Sequence, residues 1–311
     1  MKAQESKYYP QVNITMPVWN RMDDTLASIM SVAEMTSTPY TLTVVDNGSE
    51  ADLRRELLDM HARGIIQNVY FLDRNYGVSC ACNTGWRLHP ASILMKLDND
   101  MEILSKTWMQ DIFAMWGKQR YNTLFGPVWH GSEERCRVSS EWGVYWTLPL
   151  SLSGAALLVS AKVHESIGYF SEDYGVYGEE DADYCLRCHH AGIRKYTYEC
   201  ADMIRHRGTN DTEYQAHGIN KRGAHEANVG NAARQGLFAL NLFLYKHGLR
   251  PLNVPMRYHV AAVNGHNVEI RENPAYAALY ASLLHCQEVL NDASLDEEQK
   301  KLRMRQLLVS S

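Results

Sequence analysis

The chain has 311 residues, of which 45% are hydrophobic, 22% charged and 10% aromatic. That balance excludes wholesale disorder and lets the chain bury a substantial core as one large domain or two ordinary ones. A formal net charge of -5 and a pI near 6.2 exclude the overall basic excess of a nucleic-acid binder, so no nucleic-acid partner is expected, while local phosphate sites stay open. No run approaches the ~18 apolar residues of a membrane span, and the polar start MKAQESKYYPQ carries no apolar signal region; the expected location is cytoplasmic, or peripheral at the inner face of a membrane.

Val12 to Val18 reads as a first strand and ends in the loop signal Pro17-Val18-Trp19-Asn20. Asp23-Asp24 open a helix through Met35, with Leu26, Ile29, Met30 and Ala33 on one face. Thr41 to Val45 is a β-branched strand that stops at the turn Asp46-Asn47-Gly48-Ser49, and Asp52 to Ala62 is helical again. Asn68 to Leu72 is a third strand, followed by Arg74-Asn75-Tyr76-Gly77 and a short helix through Trp86. Ser92 to Leu97 is a fourth, and it runs into Asp98-Asn99-Asp100. Regular alternation predicts βαβ crossovers and a largely parallel sheet, whose ligands bind beyond the carboxyl ends of the strands. All four polar clusters sit at such ends.

Two like charges at a strand end become favourable when a hard divalent cation accepts their oxygens. By itself D-x-D is common, and the plainer reading is a solvated turn with Asp100 near a helix N-terminus. The second half of the chain adds a helix near Lys106 to Trp116, a strand near Thr123 to Trp129, and an irregular region rich in Trp and Tyr (Trp142, Tyr145, Trp146). Leu152 to Val159 reads as a small-residue strand entry in which Gly154 allows close approach of a ligand. A short helix over Ala161 to Ile167 and a loop from Tyr169 lead to Glu179-Glu180-Asp181-Ala182-Asp183, four acids in five positions, more than helix capping needs.

Seven cysteines, an odd number scattered along the chain, suggest reduced thiols. Cys185-Leu186-Arg187-Cys188-His189 has the C-x-x-C-H spacing of haem attachment, but Asp181 to Ala191 reads as a helix and no second Cys pair completes a zinc site. From Thr209 to Arg234 the chain is polar and rich in Gly and His, either a lid over a bound ligand or a surface linker. Ala232 to His247, Asn273 to Leu290 and Leu295 to Leu308 read as helices that pack on the preceding domain, dimerise, or touch a membrane-bound acceptor.

Taken in order, Pro17-Val18-Trp19-Asn20, Asp46-Asn47-Gly48-Ser49, Asn75-x-Gly77 with Asn83-Thr84-Gly85, Asp98-Asn99-Asp100, Ser153-Gly154-Ala155 and Gly178-Glu179-Glu180-Asp181-Ala182-Asp183 with Arg187 and Gly192 resemble the family 2-like GT-A glycosyltransferases, from about Asn13 to Gly208. The resemblance implies an α/β, Rossmann-like GT-A fold with a mostly parallel sheet flanked by helices and a helical C-terminal extension. It divides the chain into a catalytic domain over residues 1–208 (nucleotide-binding half 12–104, acceptor half 105–208), a loop or lid over 209–235 and a helical region over 236–311. It also implies transfer of a sugar from a nucleotide-diphosphate sugar, a UDP-sugar foremost, to the hydroxyl of a carbohydrate, lipid-linked or other acceptor.

In such enzymes residues like Pro17, Val18, Asn20 and Asp46 hold the nucleoside, and those like Asn75, Gly77, Asn83, Asn99 and Gly154 lie near nucleotide or sugar. Asp98 and Asp100, completed by His206, bind Mn²⁺ or Mg²⁺. Asp181 is the expected base for an inverting reaction, with Glu180 beside it, although retaining enzymes share the same nucleotide-binding half. Each role has a plainer counterpart: Asp46 as a turn cap, His206 as the partner of a nearby acid, Asp183 as a salt-bridge residue. Trp142, Trp146 and Tyr177 either stack on an acceptor sugar or simply pack. The usual Phe-Asp-Glu of the family reads Phe170-Ser171-Glu172 here. A sugar-phosphate nucleotidyltransferase would need a Gly-rich basic loop after the first strand, which Pro17 to Arg21 does not provide; a non-catalytic nucleotide- or carbohydrate-binding protein is the other alternative.

Overall fold

The computed structural model describes residues 9–117, 120–127, 137–140, 143–147, 152–198, 203–207 and 231–309. Four parallel strands form its centre: β1 (Val12–Val18), β2 (Thr41–Asp46), β3 (Asn68–Phe71) and β4 (Ile93–Leu97), in the spatial order β3-β2-β1-β4. Every residue of β1 and β4 is buried, as expected when helices cover both faces of a parallel sheet. The helices between them are α1 (Met22–Met35), α2 (Ala51–Ala62) and α3 (Val78–Leu88). α1 lays Ile29 and Val32, and α2 lays Leu53, Leu57 and Met60, into the core cluster that β1 and β2 line with Ile14, Met16 and Val44.

Beyond β4 the chain adds β5 (Met101–Ile103), α4 (Trp108–Trp116), β6 (Leu124–Gly126), β7 (Arg137–Ser140), β8 (Gly143–Thr147), β9 (Ala156–Ser160), α5 (Ala161–Ile167), α6 (Glu180–His190), β10 (Lys195–Tyr198) and β11 (Ile204–His206). β9 runs antiparallel beside β4, and β6, β10, β8 and β7 extend the sheet outward from it. The stretch around Tyr145 and Trp146, read from sequence as irregular, is thus part of a hairpin, β7 with β8. Its pairing partner β10, rather than any internal alternation, defines it.

The C-terminal region contains α7 (Asn231–Lys246), β12 (Tyr258–Asn264), β13 (Asn267–Glu272), α8 (Pro274–Asn291) and α9 (Glu297–Val309). The hairpin β12-β13 is an addition to the all-helical reading of this region. It joins the sheet at the β3 edge, giving an 11-stranded sheet in the order β12-β13-β3-β2-β1-β4-β9-β6-β10-β8-β7. α7, α8 and α9 share a core of Leu240, Leu244, Leu283, Cys286 and Met304. No helix among the described residues is long and apolar enough to cross a membrane.

Buried polar bonds pin this region to the body that carries α6. Asp173 receives Arg250 at 2.5 Å and Asn241 at 3.2 Å, and also the Tyr276 hydroxyl. Asp183 pairs with Arg187 at 2.7 Å, the salt-bridge role expected of it, and accepts from the hydroxyls of Tyr174 and Tyr245. Burial raises the Asp173 carboxyl, but Arg250 outweighs it and holds the group down at about 2. An acid with a depressed pKa stabilises the fold above its unfolded value and loses that contribution as pH falls through the folded one. The protein is therefore expected to lose about 2 kcal/mol as pH falls from roughly 4 toward 2. Arg250→Met is expected to abolish that slope and to cost about 3–5 kcal/mol at neutral pH by stranding a buried carboxylate. Denaturant unfolding of both proteins at pH 7, 4 and 3 measures it.

Candidate active site

Because β1 to β4 are parallel, the loops that follow them emerge along one edge of the sheet. β9 is antiparallel to β4 with Leu97 opposite Ala156, so the entry to β9, Ser153 to Ala155, lies on that same edge, and the Asp98 amide donates to the Ala155 carbonyl at 2.8 Å. The N-terminus of α6 closes the group: Asp181 Oδ2 accepts the Gly154 amide at 2.8 Å. A Cβ on Gly154 would stand 2.9 Å from Asp181. The glycine expected to admit a ligand is thus required first for the close approach of Asp181.

β11 pairs antiparallel with β5, placing His206 opposite Met101 and its Nε2 3.4 Å from Asp100 Oδ2. Asp100 also receives Arg21 Nη1 at 2.6 Å, and Arg21 bridges to Asp24 at 2.8 Å. Asp98 Oδ1 receives Lys96 Nζ at 2.5 Å. Among the described residues no three acid, Cys or His side chains converge on one preformed cation position. Even so, two carboxylates in the turn between β4 and β5 and an imidazole at the end of β11, each acid already drawing a basic side chain, form a donor set that suits a divalent cation.

Lys96 and Arg21 escaped the sequence reading. Lys96 sits in the apolar run of β4, 1% exposed, and its ammonium reaches Asp98, the Gly154 carbonyl at 2.5 Å and Glu180 at 4.0 Å. A lysine inside a buried strand was itself the signal, since lysine is almost never fully buried unless paired. Burial opposes its charge, but Asp98 and Glu180 outweigh that and hold its pKa above the usual lysine range. The neighbouring Glu180 is buried; burial and then Asp181 push its carboxyl up, and Lys96 pulls it back. Asp181 is only half-buried, with its second oxygen accepting from the Ala182 amide at 2.7 Å.

On the other flank, Pro17 and Val18 are buried within β1, Trp19 is 41% exposed, and Asn20 and Arg21 take left-handed backbone with φ of 54° and 56°. Such strain in non-glycine residues costs on the order of 1–3 kcal/mol each and gathers at functional sites. Here Ser49 Oγ accepts the Asn20 amide at 2.8 Å, and Asn20 Oδ1 accepts from Glu50. Asn99 reaches Thr25 Oγ1 at 2.7 Å. Asn75 and Gly77 meet Asn47, whose side chain donates to Asn75 Oδ1 at 2.8 Å and to the Gly77 carbonyl at 3.0 Å.

Two of the residues expected to bind the donor are already engaged by neighbours in this structure. Asp46 is fully enclosed; its carboxylate accepts from Arg54 Nε at 2.8 Å and from the Ser49 amide at 3.3 Å, so it supports the turn. Asn83 lies inside α3, 2% exposed, and spends its amide on both backbone groups of Phe170 and on Glu172. It anchors the loop that leads to α6. Tyr177 is half-buried in that loop. Trp142 and the side chain of Trp146 lie outside the described residues. Cys185 and Cys188 are buried in the core, with Cys185 Sγ accepting the Leu152 amide at 3.2 Å, so the C-x-x-C-H spacing is a helix stripe.

Residues 13–171, just over half of the chain, match the family described as Glycosyl transferase family 2. The chain belongs to that family. This glycosyltransferase resembles a mannosyltransferase from Pyrobaculum calidifontis, solved with GDP-Man and Mn²⁺, at 16% identity and a TM-score of 0.55, covering 98% of this chain and 86% of that one. It also resembles GalNAc-T7, solved with UDP, GalNAc and Mn²⁺, at 13% identity and a TM-score of 0.53, covering 64% of this chain and 44% of that one. S. aureus TarS matches at 15% identity and a TM-score of 0.50, over 75% of this chain and 43% of that one. The glycosyltransferase thus spans less than half the length of the GalNAc-T7 and TarS chains. These likenesses establish a GT-A fold. No curated protein sequence matches closely enough to count as a relative.

Proposed function

We propose that this protein transfers a sugar from a nucleotide-diphosphate sugar, with a UDP-sugar favoured, to an acceptor hydroxyl, inverting the anomeric centre with Asp181 as base. The observation that carries the reading is the junction at Gly154, whose amide holds Asp181 while its carbonyl holds the lysine paired with Asp98. A donor-side acid and an acceptor-side acid therefore meet across one residue. Asp181, half-buried at the mouth of the site, is the better-placed base; Glu180, enclosed against Lys96, supports it.

Asp98, Asp100 and His206 would hold Mn²⁺ or Mg²⁺, and the imidazole favours Mn²⁺. When bound, that cation supplies Lewis acidity to the diphosphate leaving group. Arg21, beside Asp100, adds positive charge where the leaving group develops its negative charge. The acceptor is a carbohydrate, a lipid-linked sugar or another hydroxyl compound, with Tyr177 and the Trp142 and Trp146 segment as candidate stacking residues. Of the proposed lid over residues 209–235, positions 209–230 lie outside the described residues, and 231–235 belong to α7.

Trp19, exposed beside Asn20, offers a planar face to a nucleoside base or a sugar. Trp19→Ala is expected to weaken nucleotide binding by about 1–3 kcal/mol, roughly five- to 150-fold, without changing unfolding temperature. Titration calorimetry reads this, and an unchanged affinity would move the base elsewhere. The function itself is tested by incubating the protein and Mn²⁺ with UDP- and GDP-sugars and sugar acceptors, and following product by mass spectrometry and anomeric configuration by NMR. One donor consumed with inversion is the expected result. Retention would overturn the role given to Asp181, and consumption of no donor by a folded protein that also binds no nucleotide would overturn the reading.

A further inference from the structure

Lys96 joins the two acid motifs in a way that bears on the proposed reaction. Its strand lies between β1 and β9, with Lys96 opposite Thr15 on one side and Leu157 on the other. The ammonium is thereby fixed in the interior. It meets Asp98 and the Gly154 carbonyl at 2.5 Å each and Glu180 at 4.0 Å. Each contact belongs to a different part of the site: the D-x-D strand end, the entry to β9 that also holds Asp181, and the first turn of α6.

A buried ammonium costs several kcal/mol in desolvation unless its partners are well placed, and two carboxylates brought near each other in an enclosed site repel. Each problem is relieved by the other. Removing the ammonium would leave Asp98 and Glu180 facing each other uncompensated, and the acids would swing apart. The spacing between the donor-side and acceptor-side groups would then be lost.

We propose that Lys96 is a positioning residue that sets the D-x-D and E-D motifs at a fixed separation, so that donor binding and acceptor activation depend on one buried ammonium. The proposal rests on the glycosyltransferase reading above. It implies that Lys96 and Glu180 act as a unit. A lysine that merely fills the core would move stability alone.

The test is a double-variant cycle on the full chain, with Lys96→Met, Glu180→Gln and the pair, reading both nucleotide affinity with Mn²⁺ and kcat for transfer. Lys96→Met is expected to lower kcat a hundredfold or more and to weaken nucleotide binding at least tenfold. Once Glu180 is neutral there is less repulsion for Lys96 to offset, so the double variant should lose at least tenfold less kcat than the product of the two single losses. Lys96→Gln keeps a hydrogen-bond donor without the charge and serves if the methionine variant fails to melt cooperatively; it should show the same non-multiplicative pattern. Losses that multiply, or a folded Lys96 variant with wild-type affinity and kcat, would overturn the proposal while an active wild type keeps the functional reading intact. A wild type that neither binds nucleotide nor transfers sugar would remove that reading first, and the proposal with it.

Discussion

Replacing Asp98 and Asp100 together with asparagine is expected to abolish cation-dependent nucleotide binding while the sheet remains folded. The two acids lie in the turn after β4, a strand whose residues are all buried, and their neighbours hold them by several independent contacts. The Asp98 amide bonds to Ala155, and Asn99 bonds to Thr25. Asparagine keeps the shape and the hydrogen-bonding capacity of each position but removes the charge that a hard cation requires. A bound cation contributes several kcal/mol to holding a diphosphate, so the expected loss is roughly a hundredfold or more in affinity. The charge left on Arg21 retains a weak, cation-independent affinity for phosphate. Binding that is weak and indifferent to Mn²⁺ in the variant, beside tight Mn²⁺-dependent binding in the wild type, is the pattern to look for by calorimetry.

Asp181→Asn is expected to leave nucleotide affinity within about threefold of wild type and to lower kcat by about 10²–10⁴, the contribution of a positioned general base. Asparagine still accepts the Gly154 amide through its oxygen, which keeps the junction between β9 and α6, while the bond from the Ala182 amide is lost. What it loses is the ability to take a proton from the acceptor. Glu180→Gln should act differently. Glu180 is 6% exposed and faces Lys96, so its replacement disturbs spacing and lowers kcat less. Comparison of the two variants at saturating donor separates base from support: a larger loss in Glu180→Gln would exchange their roles.

The parallel half of the sheet was legible because its signals are local and strong. β1 and α5 were read with the boundaries they have, and β2 and β4 to within a residue. β-branched runs ending in turn residues, and helices opened by acids, need no knowledge of the partner. Short strands do need it. β5 and β11 have three residues each, too few for a period, and exist because they pair with one another. The hairpin β12-β13 did carry a signal, Asn264-Gly265, with Gly265 at φ 60°. It went unread because that dipeptide lies between segments of strong helical periodicity.

At the site, the ordered motifs located the edge, the D-x-D acids and the E-D acids. They could not say whether an acid's oxygens were already committed. Asp46 bonds to Arg54 one helix further on, and Asn83 to Phe170 and Glu172 nearly ninety positions away. Both contacts arise from the packing of α2 and of the loop before α6, which no local pattern encodes. Lys96 was passed over for the opposite reason: the strand residues before it are apolar, and two of its three partners, Gly154 and Glu180, come from distant parts of the chain.

The most direct test of the account is calorimetric titration of the wild-type protein with UDP, GDP, CDP and dTDP, each with and without Mn²⁺. The account predicts that one nucleotide, UDP foremost, binds tightly only when Mn²⁺ is present. A folded protein that binds none of the four under either condition would contradict the assignment of this sheet edge as a nucleotide-sugar site.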